Sequence, residues 1–176
     1  MSETAKPFEG TKKGRVTVDV KLQLSNEIVN NLNRAIVWWE VKHKRSPPDI
    51  CVTHFYPNDF PNIEDFFGPM ARQKLRRWWD ARQNAVMLLA NIQTMHPQIL
   101  VSLLFHELGH CLRGHSSNPE KPPSLKEEKE AEKIAVEDYI AYFGKNAIVP
   151  QDPRLGDAFY RSLGLHKVQS RSSLTK

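Results

Sequence analysis

The most constraining feature of this chain is a largely apolar run, Ile99–Phe105, that leads directly into the motif H-E-x-x-H at positions 106–110. Such a run is typical of a buried helix, and Pro97 suits the first turn because the amide groups of that turn have no partner within the helix. The segment therefore predicts a helix from Pro97 to about Arg113, ended by Gly114. Residues four apart lie on one face of a helix, so the two imidazoles can bind a single cation.

The motif supplies the residue types that a hydrolytic metal site requires. His106 and His110 offer two neutral nitrogen ligands, and Glu107 lies one step around the helix, where it can reach a metal-bound water without being a ligand. Gly109 lowers helix propensity by about 1 kcal/mol relative to alanine, which indicates the close approach of another helix. The motif thus predicts a Zn²⁺ site with His106 and His110 as ligands and Glu107 as the catalytic general base.

Three later residues compete to be the third metal ligand: His115, Glu128 and Glu130. His115 follows His110 by five residues, so a continuous helix would turn it about 140° away. It could coordinate only after a sharp turn at Gly114. The favoured interpretation of His115 is therefore a residue that lines the pocket or supports a ligand, or simply a histidine at the end of the helix.

A glutamate-rich helix follows the motif and supplies the two carboxylate candidates. Its small residues Ala131 and Ala135 are four apart and form a stripe that allows close helix packing. Glu128 lies on that stripe, and so does Glu132, which can accept a hydrogen bond from a ligand imidazole. If the stripe packs on the motif helix, Glu128 points at the metal and is the predicted third ligand, with Glu130 as the alternative.

The periodicity of the remaining sequence predicts a small twisted β-sheet packed against helices, an α+β class. The motif helix would be the active-site helix of a zincin-like fold. The strand just before it would lie at the sheet edge beside the site, where an extended peptide can pair with it. Strands are predicted at Val16–Leu24, Ile50–Tyr56 and Val86–Ile92, and further helices at Glu27–Lys44, Ile63–Arg82, Leu125–Phe143 and Arg154–Leu163.

A chain of 176 residues is long enough for one domain with a substantial core. We expect a disordered N-terminal segment at residues 1–14, a single domain at 15–165 and a flexible basic tail at 166–176. The polar N-terminus lacks a secretion signal, and no apolar stretch is long enough to cross a membrane. Two cysteines, Cys51 and Cys111, do not make a disulfide framework, so the prediction is a cytoplasmic protein with free thiols.

The net charge of +5 is mild, and its densest part is Arg72–Arg82, where basic residues flank two tryptophans. Such a segment can serve a nucleic-acid surface. The alternative, which the sequence favours, is a solvated helix face whose aromatic side chains turn inward. Nucleic acid is therefore an open question among the partners, and the oligomeric state is not predicted.

The motif and the glutamate helix together resemble one known family. H-E-L-G-H at positions 106–110, followed by E-x-E-A-x-x-x-A at positions 128–135, is similar to the ImmA/IrrE family of gluzincin metallopeptidases. The sequence departs from the family at Glu132, where Asn or Asp is usual, and at Ile134, where Phe is usual. The resemblance implies a cytoplasmic zinc peptidase that acts on a protein, in that family a transcriptional regulator.

The sequence therefore predicts a zinc-dependent metallopeptidase that hydrolyses peptide bonds of a protein or peptide substrate, with a zinc-activated water and Glu107 as general base. A further donor would stabilise the oxyanion, and His115 and Tyr139 are the two candidates. The alternative function is a non-catalytic or regulatory binding protein on the same scaffold, with or without association with nucleic acid.

Overall fold

The computed structural model describes residues 9–53, 77–81, 84–115, 122–165 and 168–170. Seven strands, four α-helices and one 3-10 helix form in these ranges. The strands are β1 (Gly10–Lys13), β2 (Val16–Asp19), β3 (Asp49–Thr53), β4 (Arg77–Asp80), β5 (Ala85–Leu89), β6 (Val149–Gln151) and β7 (Val168–Ser170). The α-helices are α1 (Asn26–His43), α2 (Pro97–Arg113), α3 (Leu125–Phe143) and α4 (Asp157–Ser162), and the 3-10 helix is Ala90–Thr94.

The strands form a five-stranded mixed sheet in the order β1-β2-β3-β5-β4 and a separate parallel pair, β6 and β7. The three central strands are parallel, whereas β1 and β4 run antiparallel to their neighbours at the two ends. Helices α1 and α2 pack with this sheet, and α3 packs on α2. The α+β class predicted from the sequence is confirmed.

Helix α1 begins and ends where its sequence allows. The Ser25 side chain accepts a hydrogen bond from the Ile28 amide at 3.3 Å, which satisfies one of the unpaired donors of the first turn. At the other end, Lys44 adopts a left-handed conformation with φ of 48°. The buried face, which includes Ile28, Leu32, Ile36 and Trp39, covers the sheet and contributes to the main core.

Helix α2 has the bounds that its sequence predicts, with Pro97 in its first turn and Gly114 just after its last residue. Gly114 has φ of 67°, a conformation that glycine adopts without the steric cost that other residues meet. Every residue of α2 from Ile99 to Cys111 is buried. The H-E-x-x-H motif therefore lies inside the protein rather than on an exposed helix face.

The close approach of α2 and α3 explains the glycine of the motif. A Cβ atom placed on Gly109 would lie 2.6 Å from the carbonyl oxygen of Ala131 and 3.1 Å from its Cα. Ala131 and Ala135 are both buried, as expected for a small-residue stripe that faces another helix. Ser124 begins α3 with a capping box, because its Oγ accepts from the Glu127 amide and its own amide donates to the Glu127 carboxylate.

Several predicted elements differ from the structure. Arg77–Asp80, predicted as the end of a helix, is strand β4, because pairing with β5 outweighs the local helical pattern. The strand before α2 ends at Leu89 and lies inside the sheet, so β4 and not β5 is the end strand. The remaining part of the predicted helix, residues 63–76, lies outside the described residues.

Two short strands form in segments predicted to be disordered or flexible. Gly10–Lys13 pairs with β2, and Val168–Ser170 pairs with β6. Residues 1–8 and 171–176 lie outside the described residues. Among the described helices, none has a stretch long and apolar enough to cross a membrane.

Candidate metal centre

Two imidazoles and one carboxylate converge where α2 meets α3. The Nε2 atoms of His106 and His110 are 3.1 Å apart. Glu128 places one carboxylate oxygen 2.9 Å from Nε2 of His106 and the other 3.6 Å from Nε2 of His110. Both histidines are buried, and the Glu128 side chain is 18% exposed. These three residues form a group that can hold a metal ion.

The spacing of the donor atoms tests whether a small cation fits. Tetrahedral coordination with bonds of about 2.0–2.1 Å puts neighbouring ligand atoms about 3.4 Å apart. The measured separations of 2.9, 3.1 and 3.6 Å scatter around that value. Two imidazole nitrogens and one carboxylate oxygen also match the donor set of catalytic zinc sites, which keep the fourth position for water or substrate. The residues present fit a metal of this kind.

A chain of buried hydrogen bonds holds the His106 ring. Its Nδ1 lies 2.5 Å from Oε2 of Glu132, and the Tyr160 hydroxyl donates to Oε1 of the same carboxylate at 2.6 Å. The Asp152 amide in turn donates to the Tyr160 oxygen at 2.7 Å. His106, Glu132 and Tyr160 are completely buried. An acceptor at Nδ1 favours the tautomer in which the neutral ring carries its proton on Nδ1 and keeps the lone pair on Nε2, the form that a metal ligand needs.

The His110 ring is supported by a second histidine. Its Nδ1 lies 2.8 Å from Nδ1 of His115, and Nε2 of His115 lies 3.1 Å from a carboxylate oxygen of Glu130. Gly114 turns the chain so that His115 folds back beside His110. The backbone carbonyl of His115 accepts a hydrogen bond from Nε1 of Trp79 at 3.2 Å. With Nε2 of His110 as a ligand, its Nδ1–H donates to His115, whose Nε2–H donates to Glu130.

Glu107 follows His106 in α2 and is not part of the group that can hold a metal ion. Its Oε1 is 2.8 Å from Nη1 of Arg77, the first residue of β4. The Glu107 and Arg77 side chains are only 4% and 10% exposed. The Arg77 charge also acts on His106, so this buried ion pair adjoins the candidate metal centre.

A second arginine lies at the edge of the cluster. The guanidinium of Arg154 makes close ion-pair contacts with Asp152, the shortest at 2.6 Å, and lies 4.0 Å from Glu128. The hydrogen bonds with Asp152, partly offset by burial, raise the pKa of Arg154 above its ordinary value. This cation stays charged at all working pH values, and it adds positive charge beside the Glu128 carboxylate.

The metal-free cluster contains an internal ion pair. Burial and the Arg77 charge lower the pKa of His106, but hydrogen bonds with Glu128 and Glu132 outweigh them and raise it above 6.5. Burial raises the pKa of Glu128, and hydrogen bonds with His106 and His110 more than reverse this, so the pKa lies well below its ordinary value. Glu128 therefore favours the protonated form of His106, and His106 favours the ionised form of Glu128.

The predicted site residues separate into groups. His106, His110 and Glu128 lie together, whereas Glu130 is within hydrogen-bond distance of His115. Glu107 is buried and pairs with Arg77. His115 contacts His110 through Nδ1, which matches the interpretation of a supporting residue.

The two residues proposed as oxyanion donors have other partners. Both ring nitrogens of His115 are engaged, and the Tyr139 hydroxyl donates to the carbonyl of Ile148 at 3.1 Å. Sequence reasoning missed Arg77 and Tyr160, because each is far along the chain from the motif and no spacing connects it to the metal. The alternation of Arg77 and Trp79 on a strand was the one available signal.

Most of the basic segment Arg72–Arg82 lies outside the described residues, so its proposed nucleic-acid surface stays a prediction. Within the described part, Trp79 is buried, as the alternative interpretation expects of the aromatic side chains, but Arg77 is buried too and lies on a strand rather than on a solvated helix face. Cys51 and Cys111 are both free and buried. Comparisons of this chain with protein-family models, with curated proteins and with solved structures found no match.

Proposed function

We propose that this protein is a zinc-dependent metallopeptidase that hydrolyses peptide bonds of a protein substrate, similar to the ImmA/IrrE family. The observation that carries the proposal is the convergence of His106, His110 and Glu128, together with the separate, buried carboxylate of Glu107, which follows His106 in the same helix. A site that only stabilised the fold would not need a fourth, buried acidic side chain outside the ligand set.

The donor set favours zinc over calcium and magnesium. Calcium and magnesium prefer sites built from oxygen atoms alone, whereas two of the three donors are imidazole nitrogens. A ligand carboxylate and two ligand imidazoles leave one tetrahedral position open. When bound, such an ion supplies a Lewis acid that makes a water molecule more acidic and polarises a carbonyl group.

The protein's own residues provide the proton transfers. Glu107 accepts the proton of the attacking water on its carboxylate and delivers it to the leaving amine. Arg77 holds one oxygen of that carboxylate at 2.8 Å. Glu132 and His115 fix the two imidazoles through their Nδ1 atoms, so that the ligand nitrogens stay aimed at one point.

Strand β4 supplies a place for the substrate backbone. Among the described strands it is the end strand of the five-stranded sheet, and it contacts α2, the helix that carries the motif. Within the described residues no strand pairs with it on the side away from β5, where its backbone groups are suited to pair with an extended peptide. This edge favours a peptide as the substrate class.

Metal analysis combined with cleavage profiling tests the proposal. Purified protein should contain one zinc per chain and should cut members of a peptide library, and a chelator should abolish the cutting. Glu107→Gln should keep the zinc and lose turnover, while the matched change Glu137→Gln on the exposed side of α3 should alter neither. A Glu107→Gln protein with full activity would exclude the mechanism.

The same experiment separates peptidase activity from its main alternative, a regulatory binding protein on this scaffold. That alternative predicts stoichiometric metal, no cleavage of any library member and no effect of Glu107→Gln. The third ligand is tested by the order of two variants, since Glu128→Ala should weaken zinc binding more than Glu130→Ala. The reverse order would assign the ligand to Glu130.

A further inference from the structure

One buried contact brings together the end strand of the sheet and the motif helix. Arg77 is the first residue of β4, and its Nη1 lies 2.8 Å from Oε1 of Glu107 on α2. The two side chains come from segments separated by strand β5 in the chain, and both are almost completely buried. The contact is thus made by the tertiary fold and not by local helix geometry.

Packing alone does not explain an arginine at this position. Trp79 lies two residues later on the same face of β4, is buried and already fills the space toward the end of α2. A buried ion pair adds little stability compared with apolar side chains of similar volume. The Nε–H group of Arg77 is also buried, and it has no hydrogen-bond partner in the described part of the chain, which is a further cost.

The contact does have a consequence for catalysis. A glutamate carboxylate can rotate about three side-chain bonds, and a hydrogen bond to Oε1 restricts that rotation. The oxygen that Arg77 does not hold is then restricted in orientation as well. Reacting groups need this kind of fixed placement, and an error of about 1 Å can reduce turnover about 100-fold.

We propose that Arg77 is a positioning residue, which holds the Glu107 carboxylate in the orientation that proton transfer requires. The inference rests on the proposed function, because it assigns a role within the same reaction. It identifies Arg77, which no feature of the motif specifies, as a residue that the hydrolytic site needs.

Kinetics of Arg77 variants on the best-cleaved library peptide test this role. Arg77→Ala should reduce kcat about 100-fold, because Glu107 loses its fixed orientation. KM and the zinc content should stay close to wild type, since neither depends on Glu107. Arg77→Lys should recover part of the loss, and added methylguanidinium should partly restore turnover to Arg77→Ala.

A control and a double variant distinguish positioning from a general structural effect. Arg15→Ala breaks another Arg–Glu contact, the 2.6 Å pair with Glu40, and should leave kcat unchanged. In a Glu107→Gln background, Arg77→Ala should cause no further loss of turnover, because the two residues act as one unit. An equal additional loss in that background, or loss of zinc from Arg77→Ala, would overturn the inference.

A measurement without metal or substrate examines the contact directly. In metal-free protein, Arg77→Ala should lower the urea midpoint of unfolding less in the Glu107→Gln background than in wild type. Arg15→Ala should lower it equally in both backgrounds. Additive effects of Arg77 and Glu107 would show that the contact is not formed in solution and would overturn the inference.

The two proposals fail in different ways. A wild-type protein that binds zinc but cuts no peptide would end the proposed function and the role of Arg77 with it. A wild-type protein that cuts peptides, beside an Arg77→Ala variant with the same kcat, would end only the role of Arg77.

Discussion

The two imidazoles of the candidate metal centre, His106 and His110, have different hydrogen-bond partners behind them. Behind His106 stands the carboxylate of Glu132, itself bonded to Tyr160, and all three side chains are completely buried. Behind His110 stands a neutral ring, His115, and its far nitrogen meets Glu130, whose side chain is 32% exposed. The hydrogen-bond chain behind His106 therefore ends in the core, whereas the chain behind His110 ends at the surface.

This difference predicts unequal control of the two ligands. A charged acceptor in a buried, weakly polar environment holds a ring N–H more strongly than a neutral nitrogen does. Interactions at the exposed end of the other support are screened by water and salt. We therefore expect His106 to be the fixed ligand and His110 to be the adjustable one.

The largest expected effect comes from Glu132→Ala. The substitution leaves the Nδ1–H of His106 and the hydroxyl of Tyr160 buried without their acceptor. Zinc affinity should fall about 100-fold, the upper end of the range for residues that support metal ligands. The free energy of unfolding of the metal-free protein should fall by about 3–5 kcal/mol, as expected when one partner of a buried pair is removed.

Competition with a chromophoric chelator measures the zinc affinity of Glu132→Ala, and urea unfolding measures its free energy of unfolding. Glu132→Gln is the matched variant, because it retains a side-chain oxygen of similar position but no charge. It should recover part of the affinity. Wild-type zinc affinity in Glu132→Ala would remove the basis of the comparison.

A smaller effect is expected when the support of His110 is removed. His115→Ala takes away the acceptor of the Nδ1–H group, and zinc affinity should fall about 10-fold, the lower end of the same range. His115→Asn is the informative partner, since its side-chain oxygen can stand near the position of Nδ1 and accept the same hydrogen bond. We expect His115→Asn to bind zinc more tightly than His115→Ala; equal affinities would mean that His115 acts only by filling space.

The pH dependence should reveal the internal ion pair of the metal-free site. The raised pKa of His106 contributes stability that is fully present below pH 6.5 and is lost as the pH rises through the raised value. The lowered pKa of Glu128 contributes stability that is present above pH 4.5 and is lost only at much lower pH. This pair therefore stabilises the metal-free protein fully between pH 4.5 and 6.5.

Zinc must displace the His106 proton, so its apparent affinity should rise with pH, by up to about tenfold per unit where the proton is fully bound. Calorimetry in buffers of different ionisation enthalpy measures the protons released at pH 6.5. Glu132→Gln should reduce the release, because the Glu132 carboxylate helps to raise the pKa of His106. Proton release that does not change with pH or with the Glu132→Gln substitution would show that the displaced proton does not come from His106.

The sequence predicted the region where α2 meets α3 better than the contacts that β4 and α4 make with these two helices. Helix α2 and the contact of Gly109 with Ala131 follow from local pattern, since apolar periodicity and a glycine inside a helix are both visible along the chain. The placement of Glu128 and Glu132 on one stripe followed from helix geometry once that contact was assumed.

The parts that the sequence did not predict depend on contacts between distant segments. Tyr160 reaches Glu132 only because α4 folds back on α3, and Arg77 reaches Glu107 only because β4 pairs with β5. Strand β4 has only four residues, so its alternation is too short to compete with the helical pattern that precedes it. Local periodicity carries no information about such pairings.

The smallest effect is expected at Glu130, where the support of His110 reaches the surface. Its carboxylate lies 3.1 Å from His115 but also 3.9 Å from Arg113 and 4.0 Å from Lys126, so solvent and neighbouring cations share the interaction. Glu130→Gln keeps an acceptor for His115, and zinc affinity should change by less than about threefold, in keeping with an exposed ion pair worth at most 1 kcal/mol. The difference from wild type should shrink further in 0.5 M NaCl, a salt concentration at which screening extends over only about 4 Å. Chelator competition at low and high salt measures the zinc affinity of Glu130→Gln and its salt dependence. A loss of affinity as large as that of Glu132→Ala would show that the hydrogen-bond chains behind His106 and His110 are equally strong.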